Sequence, residues 1–305
     1  MTSFRELLRG GPAAIDGGLA SELEARGHDL SGSLWSARLL RDDPSAIRDV
    51  HRAYFAVGAT VGISASYQAS RSGFERAGLS SSEADDLLAL SVRLVHEARA
   101  VAQADGASQA MLVAASVGPY GATLHDGSEY RGRYGLSNDF LVEFHRARLE
   151  VLVAASPDLL AIETVPDVDE AVALIDALDG IDIPAWLSFS CADAALTCAG
   201  QPIEEAAAVV AAAGIAAIGI NCTKPEFVTG LVERIRAIEP ELAIVVYPNA
   251  GRVWDGAASV WLGAGADTLS SAAVASWFES GVSLVGGCCG LGPVAIAEIA
   301  ASASR

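Results

Sequence analysis

Ala216-Ala217-Ile218-Gly219-Ile220-Asn221-Cys222-Thr223 is a short apolar run that stops abruptly at polar residues. A run of this length and composition suits a strand covered on both faces, and its polar end suits a carboxyl terminus that meets solvent or a ligand. The same form recurs at Ala13 to Ile15, Thr60 to Ser64, Met111 to Ala115, Leu159 to Ile162, Ala185 to Phe189, Leu242 to Tyr247 and Val282 to Val285. Longer Ala-, Leu-, Glu- and Arg-rich segments separate the runs. Three of these carry helix starts: Ser45 to Val57 follows Pro44, Ser82 to Ala104 opens with Ser-x-x-Asp, and Ile203 to Ala213 follows Pro202. Eight strand-then-helix units without a linker or a shift in composition predict an α/β fold, a single (β/α)8 TIM-type barrel over residues 1–305.

In such a barrel the carboxyl ends of the strands converge on one rim, where ligands bind. Read in order, the residues at those ends are Asp16, Ser64, Ser116, Glu163, Ser188 with Ser190, Asn221-Cys222, Asn249 and Cys288-Cys289. Three cysteines and two carboxylates therefore share one rim. Cys222 and Cys288 lie 66 positions apart, yet the sixth and eighth strand ends face each other across a narrow ring.

Val285-Gly286-Gly287-Cys288-Cys289-Gly290 places two adjacent thiols at the mouth of its strand. A disulfide between neighbours closes a strained ring, whereas a thiophilic metal accepts both sulfurs if another ligand arrives from elsewhere. Cys222 is that ligand. The glycines before the pair are expected to let the backbone approach a ligand closely. Three thiolates leave one tetrahedral position of a zinc ion for another group, and no fourth protein ligand is evident; a thiol brought there would be held ionised at neutral pH. Cys191 and Cys198 are read as lying outside this site, and His28, His51, His96, His125 and His145 show no metal-ligand spacing. Asp16 and Glu163 suit a substrate ammonium group. The competing readings are a strand-to-helix turn with a cap at Asp16-Gly17-Gly18 and an ion pair between Glu163 and a rim arginine.

Composition narrows the partners. The formal net charge is −18 and Lys224 is the only lysine, which argues against nucleic acid and anionic membranes. No run reaches the roughly 18 uninterrupted apolar residues of a spanning helix, and the start, Met1-Thr2-Ser3-Phe4-Arg5-Glu6, lacks the pattern of a secretory signal. A cytoplasmic protein is the expectation. Five cysteines scattered over 305 residues do not form a disulfide framework. Gly17-Gly18 lacks the spacing of a dinucleotide loop.

Several motifs, in order along nearly the whole chain, resemble the homocysteine S-methyltransferase family, and among its members those that use S-methylmethionine. They are Asp16-Gly17-Gly18-Leu19-Ala20-Ser21-Glu22-Leu23, Leu34-Trp35-Ser36-Ala37, Ser64-Ala65-Ser66-Tyr67-Gln68-Ala69, Ser116-Val117-Gly118-Pro119-Tyr120-Gly121, Asp126-Gly127-Ser128-Glu129-Tyr130-Arg131-Gly132, Glu163-Thr164, Gly219-Ile220-Asn221-Cys222, Tyr247-Pro248-Asn249 and Gly286-Gly287-Cys288-Cys289. The resemblance implies one zinc ion per chain on Cys222, Cys288 and Cys289, with homocysteine entering through its sulfur. It also implies Asp16 and Glu163 on the homocysteine ammonium, backbone amides near Gly17 and Gly18 for the carboxylate, and Tyr67, Ser188, Asn221 and Asn249 along the pocket. The chain departs from the family pattern at Gly290-Leu291-Gly292-Pro293 and at Cys198.

The implied reaction moves a methyl group from a sulfonium donor, S-methylmethionine or else S-adenosylmethionine, to homocysteine, giving methionine. Two alternatives stay open. One is transfer to selenocysteine, or from betaine with Trp35, Trp254 or Tyr67 in an aromatic cage; the other is a non-catalytic zinc or thiol sensor working through a Cys288-Cys289 disulfide.

Overall fold

The computed structural model describes residues 2–30, 38–251, 253–255, 260–262 and 265–304. Among these residues ten strands occur in chain order: β1 (Ala13–Ala14), β2 (Val61–Ile63), β3 (Leu112–Val117), β4 (Leu159–Val165), β5 (Ala185–Phe189), β6 (Ala217–Asn221), β7 (Ala243–Tyr247), β8 (Val253–Asp255), β9 (Val260–Leu262) and β10 (Leu284–Val285). Eight form one parallel sheet in the order β1-β10-β7-β6-β5-β4-β3-β2. Hydrogen bonds from Thr60 N to Ala14 O at 2.7 Å and from Asp16 N to Val61 O at 3.0 Å join the first strand to the second and close the ring. The predicted barrel is present.

Strand residues alternate between two apolar clusters, as the pleat requires. Val113, Ala115, Leu160 and Ile162 belong to the layer between sheet and helices, whereas Leu112, Ala114, Leu159 and Ala161 point into the barrel. The inner cluster mixes Ala13, Ala114, Ala161 and Ala217 with large side chains, among them the fully buried Trp186. The Trp186 indole donates to the Tyr247 hydroxyl at 3.0 Å. Phe4 and Leu7 of an N-terminal helix, Phe4–Arg9, join the same cluster. Phe4 lies 5.7 Å from Trp186 between ring centroids, so this helix plugs the end opposite the rim. A capping box between Ser3 and Glu6 starts it, a signal the strand rhythm did not reveal.

The helices predicted after Pro44 and Pro202 run over Pro44–Ala56 and Ile203–Ala212. The long helix is Ser81–Ala104, and its capping box is Ser80 with Glu83, not the Ser82-to-Asp85 spacing. Two further differences matter at the rim. β4 continues beyond Ile162 through a register shift, so that Glu163 sits within the strand. An antiparallel hairpin, β8 with β9, is inserted between β7 and β10. Among the described residues no helix is long and apolar enough to cross a membrane.

Candidate metal centre and ligand pocket

Cys222 follows β6 directly, and its backbone turns into the left-handed region at φ 45°. Thr164, near the end of β4, does the same at φ 60°. Both conformations are unfavourable for residues with a Cβ, most of all a β-branched one, and are held by their surroundings. The clamp is Asn221, which donates from Nδ2 to Thr164 Oγ1 at 2.7 Å and accepts from Thr164 N at 2.8 Å. Asn249 donates to the Cys222 carbonyl at 3.2 Å and accepts from Gly251 N at 2.9 Å. Asn221 and Asn249, expected along the pocket, spend their amides on holding the loops that carry Cys222 and Glu163.

The cysteine loop after β10 is stitched to both neighbouring strand ends. Gly286 N donates to Val246 O at 2.8 Å, Gly287 N to Asp16 O at 3.0 Å and Cys288 N to Pro248 O at 2.8 Å. Ala250 N in turn donates to Cys289 O at 2.8 Å. A Cβ on Gly286 would lie 2.3 Å from Ile15 Cγ1 and 2.7 Å from Asp16 O, and one on Gly287 would lie 2.6 Å from Leu291 Cβ. These glycines therefore admit the backbone of the Asp16 loop and the Leu291 side chain, where the sequence had suggested a ligand. Gly17 and Gly18 face the same seam from the other side: their added Cβ atoms would meet Leu291 O at 2.4 Å and Cys288 O at 2.6 Å. Gly18 N already donates to Leu291 O at 3.0 Å, so it is not free for a substrate carboxylate as expected. Leu291, one of the departures from the family pattern, serves this seam.

Cys222, Cys288 and Cys289 meet with their sulfurs within 4.8 Å of one another, the group of metal-ligating type found among the described residues. The structure joins Cys222 to Cys288 as a disulfide, with Cα atoms 5.5 Å apart. The sequence reading expected three thiolates here and kept an adjacent Cys288-Cys289 bond only for the sensor alternative; the bonded pair is a different one. Cys289 Sγ lies 3.6 Å from Cys222 Sγ and 3.8 Å from Cys288 Sγ. Two sulfurs each about 2.3 Å from a tetrahedral zinc ion are separated by about 3.8 Å. Once the link is reduced, the trio fits such an ion. Burial pushes the Cys289 thiol up to about 12, so without a cation beside it this sulfur stays protonated. Cys191 and Cys198 lie outside the trio, as expected, and burial raises both thiols.

Asp16 and Glu163 are 3% and 8% exposed, and among the described residues neither makes an ion pair. Asp16 Oδ2 accepts from Ile63 N at 2.7 Å. Burial, then the nearby Glu163 charge, holds its carboxyl well above the ordinary range. Ser116 Oγ and the Tyr247 hydroxyl bond Glu163, whose carboxyl burial still lifts to about 7. The rim-arginine reading of Glu163 fails, and so does the cap reading of Asp16: helix Leu19–Ala25 begins at Gly18 without a side-chain cap. Two buried acids without a counter-ion suit a ligand cation.

Tyr67 packs on Gly118, where a Cβ would lie 2.6 Å from its ring. Burial, then Tyr130, Glu129 and Glu163, raise its phenol. Ser188 is fully buried and fills the space over Gly219, its partner on β6. Trp35, with the whole motif Leu34-Trp35-Ser36-Ala37, and the side chain of Trp254 lie outside the described residues. The sequence reading gave no role to Thr164 or Tyr247. Their rim positions were readable, but the positive φ and the bond to Glu163 arise from contacts between strands far apart in the chain.

The model of the family described as "Homocysteine S-methyltransferase" matches residues 13–303. Homocysteine S-methyltransferase 1 of Zea mays is 43% identical over 303 residues, covering 95% of this chain and 94% of its own. Homocysteine S-methyltransferase YbgG of Bacillus subtilis is 42% identical over 293 residues, 94% and 93% of the two chains. Among solved structures, the metallated form of the homocysteine methyltransferase MmuM from Escherichia coli superposes with TM-score 0.87 at 38% identity, covering 97% of this chain and 99% of that one. Its apo form superposes with TM-score 0.76 at 33% identity, covering 95% of each chain.

Proposed function

The chain belongs to the homocysteine S-methyltransferase family and is a methyltransferase, and on that premise we propose that it moves a methyl group from a sulfonium donor, preferentially S-methylmethionine, to the sulfur of homocysteine. The observation that carries this reading is the junction of three convergent sulfurs with two buried carboxyls that lack a counter-ion. Zinc held by Cys222, Cys288 and Cys289 would keep an incoming thiol ionised, where a free thiol with a pKa of about 8.5 is mostly protonated at neutral pH.

The chain's own residues do the rest. Asp16 and Glu163 take the homocysteine ammonium, an interaction that also relieves their burial. The Gly17 amide is the candidate for its carboxylate. Ser116 and Tyr247 fix the Glu163 carboxyl from below, and Asn221 with Asn249 fix the backbone from which Cys222 projects. Held this way, the acceptor sulfur meets the donor methyl group in line. The methyl–sulfonium bond breaks as the new carbon–sulfur bond forms, and methionine and a neutral thioether result. Opposite charges disappear along this path, so a buried site costs the transition state less than the separated reactants.

A donor panel with zinc-loaded protein and homocysteine tests the proposal. S-methylmethionine should give the highest kcat/KM, and Cys288→Ser should lose both the metal and methionine formation. A higher kcat/KM with betaine or S-adenosylmethionine would reject the donor assignment. One retained zinc ion per chain in the variant would reject the ligand set.

A further inference from the structure

Glu129 is a third buried acid near the cysteines, and the reaction above does not use it. It lies in the tight turn Ser128–Tyr130, which Gly127 opens at φ 80°. The turn is fixed on every side. Asp126 Oδ1 accepts from Ser128 N at 2.9 Å, and the Arg131 guanidinium donates to Ser128 Oγ at 2.8 Å. A Cβ on Gly121 would lie 2.6 Å from Glu129 N, so the turn rests directly on the Tyr120–Thr123 segment. The backbone from which the Glu129 side chain projects is thereby fixed.

Its residue is 6% exposed. Among the described residues it forms no ion pair, and Oε2 is buried with no hydrogen-bond partner. Its carboxyl lies within electrostatic reach of Cys289, Tyr67 and Tyr130. Burial lifts the carboxyl to about 7, a cost that an incoming cation would remove. An unpaired carboxylate oxygen calls for an N–H donor, which a sulfonium group lacks. A carboxylate against the sulfonium would also stabilise the reactants more than a transition state in which that charge is disappearing.

Resting on the function proposed above, the reaction brings two amino-acid ligands together, and each carries an ammonium group. Among the described residues, Asp16 with Glu163 form one set of buried carboxyls without a paired cation, and Glu129, with an oxygen that has no hydrogen-bond partner, forms another; buried Asp167 differs in being satisfied by Arg133 N, Asp169 N and Gln201 Nε2. We propose that Glu129 receives the α-ammonium group of the sulfonium donor, and so selects amino-acid sulfonium compounds over simple ones. The ammonium keeps its charge through the reaction, so this contact acts on donor binding and leaves the chemical step alone.

The test pairs Glu129→Gln with removal of the ammonium from the donor, using S-methylmethionine and 4-(dimethylsulfonio)butanoate with the zinc-loaded protein. Loss of a charge-assisted hydrogen bond corresponds to roughly tenfold to a hundredfold in affinity. In the wild type the deaminated donor should show a KM higher by that factor. In Glu129→Gln the KM for S-methylmethionine should rise by the same factor, with kcat nearly unchanged, and the two donors should become equivalent. The homocysteine KM should not move. An unchanged preference between donors in the variant, or a loss that falls on homocysteine, overturns the assignment. If the variant does not fold, equal wild-type KM values for the two donors overturn it. A wild type inert with every sulfonium compound would instead reject the proposed function, and this contact with it.

Discussion

Gly286→Ala joins fold and site in one perturbation. The new methyl group would lie 2.3 Å from Ile15 Cγ1 and 2.7 Å from Asp16 O, against the 3.4 Å at which ordinary contact begins. Relief needs the β1 end and the cysteine loop to part by about 1 Å, and Asp16 O is backbone that no rotamer change can move. The separation also lengthens the 3.0 Å bond from Gly287 N to Asp16 O. Overpacking of this kind costs about 1–3 kcal/mol and the weakened hydrogen bond about 1 kcal/mol. For a chain of this size, such a loss lowers Tm by about 5 °C. The same shift moves Asp16 away from Cys288, and a misplacement of about 1 Å between reacting groups lowers kcat/KM on the order of 100-fold. Thermal melts and steady-state kinetics on the zinc-loaded variant measure both effects. A variant with unchanged Tm and unchanged kcat/KM would show that the glycine is not required for the seam between these loops.

Further perturbations reach other parts of the same structure. Asn221→Ala strips two partners from buried Thr164, N–H and Oγ1, and should destabilise by about 2–4 kcal/mol in urea unfolding; a loss under 1 kcal/mol would mean Thr164 holds its φ without the clamp. Because burial places Glu163 at about 7, its carboxyl gains a proton as pH falls through that value and loses its attraction for an ammonium group. Methionine affinity, followed by calorimetry, should therefore weaken from pH 8 to pH 6, and Glu163→Gln should flatten the profile. His51 is buried, among the described residues both its ring nitrogens lack a partner, and burial lowers it to about 4. Its neutral form contributes stability above the unfolded value of about 6.5, and that contribution is lost as pH falls toward 4. His51→Leu should therefore spare about 2–3 kcal/mol of the acid-side loss at pH 4.5. Equal acid-side losses in the variant and the wild type would place the titration elsewhere, His145 being the other buried imidazole lowered to about 4.

The barrel was legible because its signal is local. Each strand is a short run buried on both faces, and the period between runs leaves room for one crossover helix, so eight units and their polar ends could be placed from residue types alone. The hairpin β8 with β9 escaped because three-residue strands carry too little pattern. The continuation of β4 past Ile162 escaped because it depends on Thr164 at φ 60°. The chemistry of the site was legible for a related reason: a CysCys pair after a strand and a lone cysteine after another have few structural uses.

The roles of individual polar residues were less visible. Asn221 and Gly18 were expected to face a ligand, yet one clamps Thr164 and the other donates to Leu291. A buried polar group must find a partner, and the partner comes from whichever strand the closed sheet sets beside it. The sequence by itself determined the period, the rim and the three thiols, all of which follow from residue type and spacing along the chain. The tertiary structure alone decided which sulfurs approach which, which acids remain without a cation, and which glycines serve packing. Those outcomes depend on contacts across the ring, between segments as far apart as Ser21 and Gly290, and no local pattern encodes them.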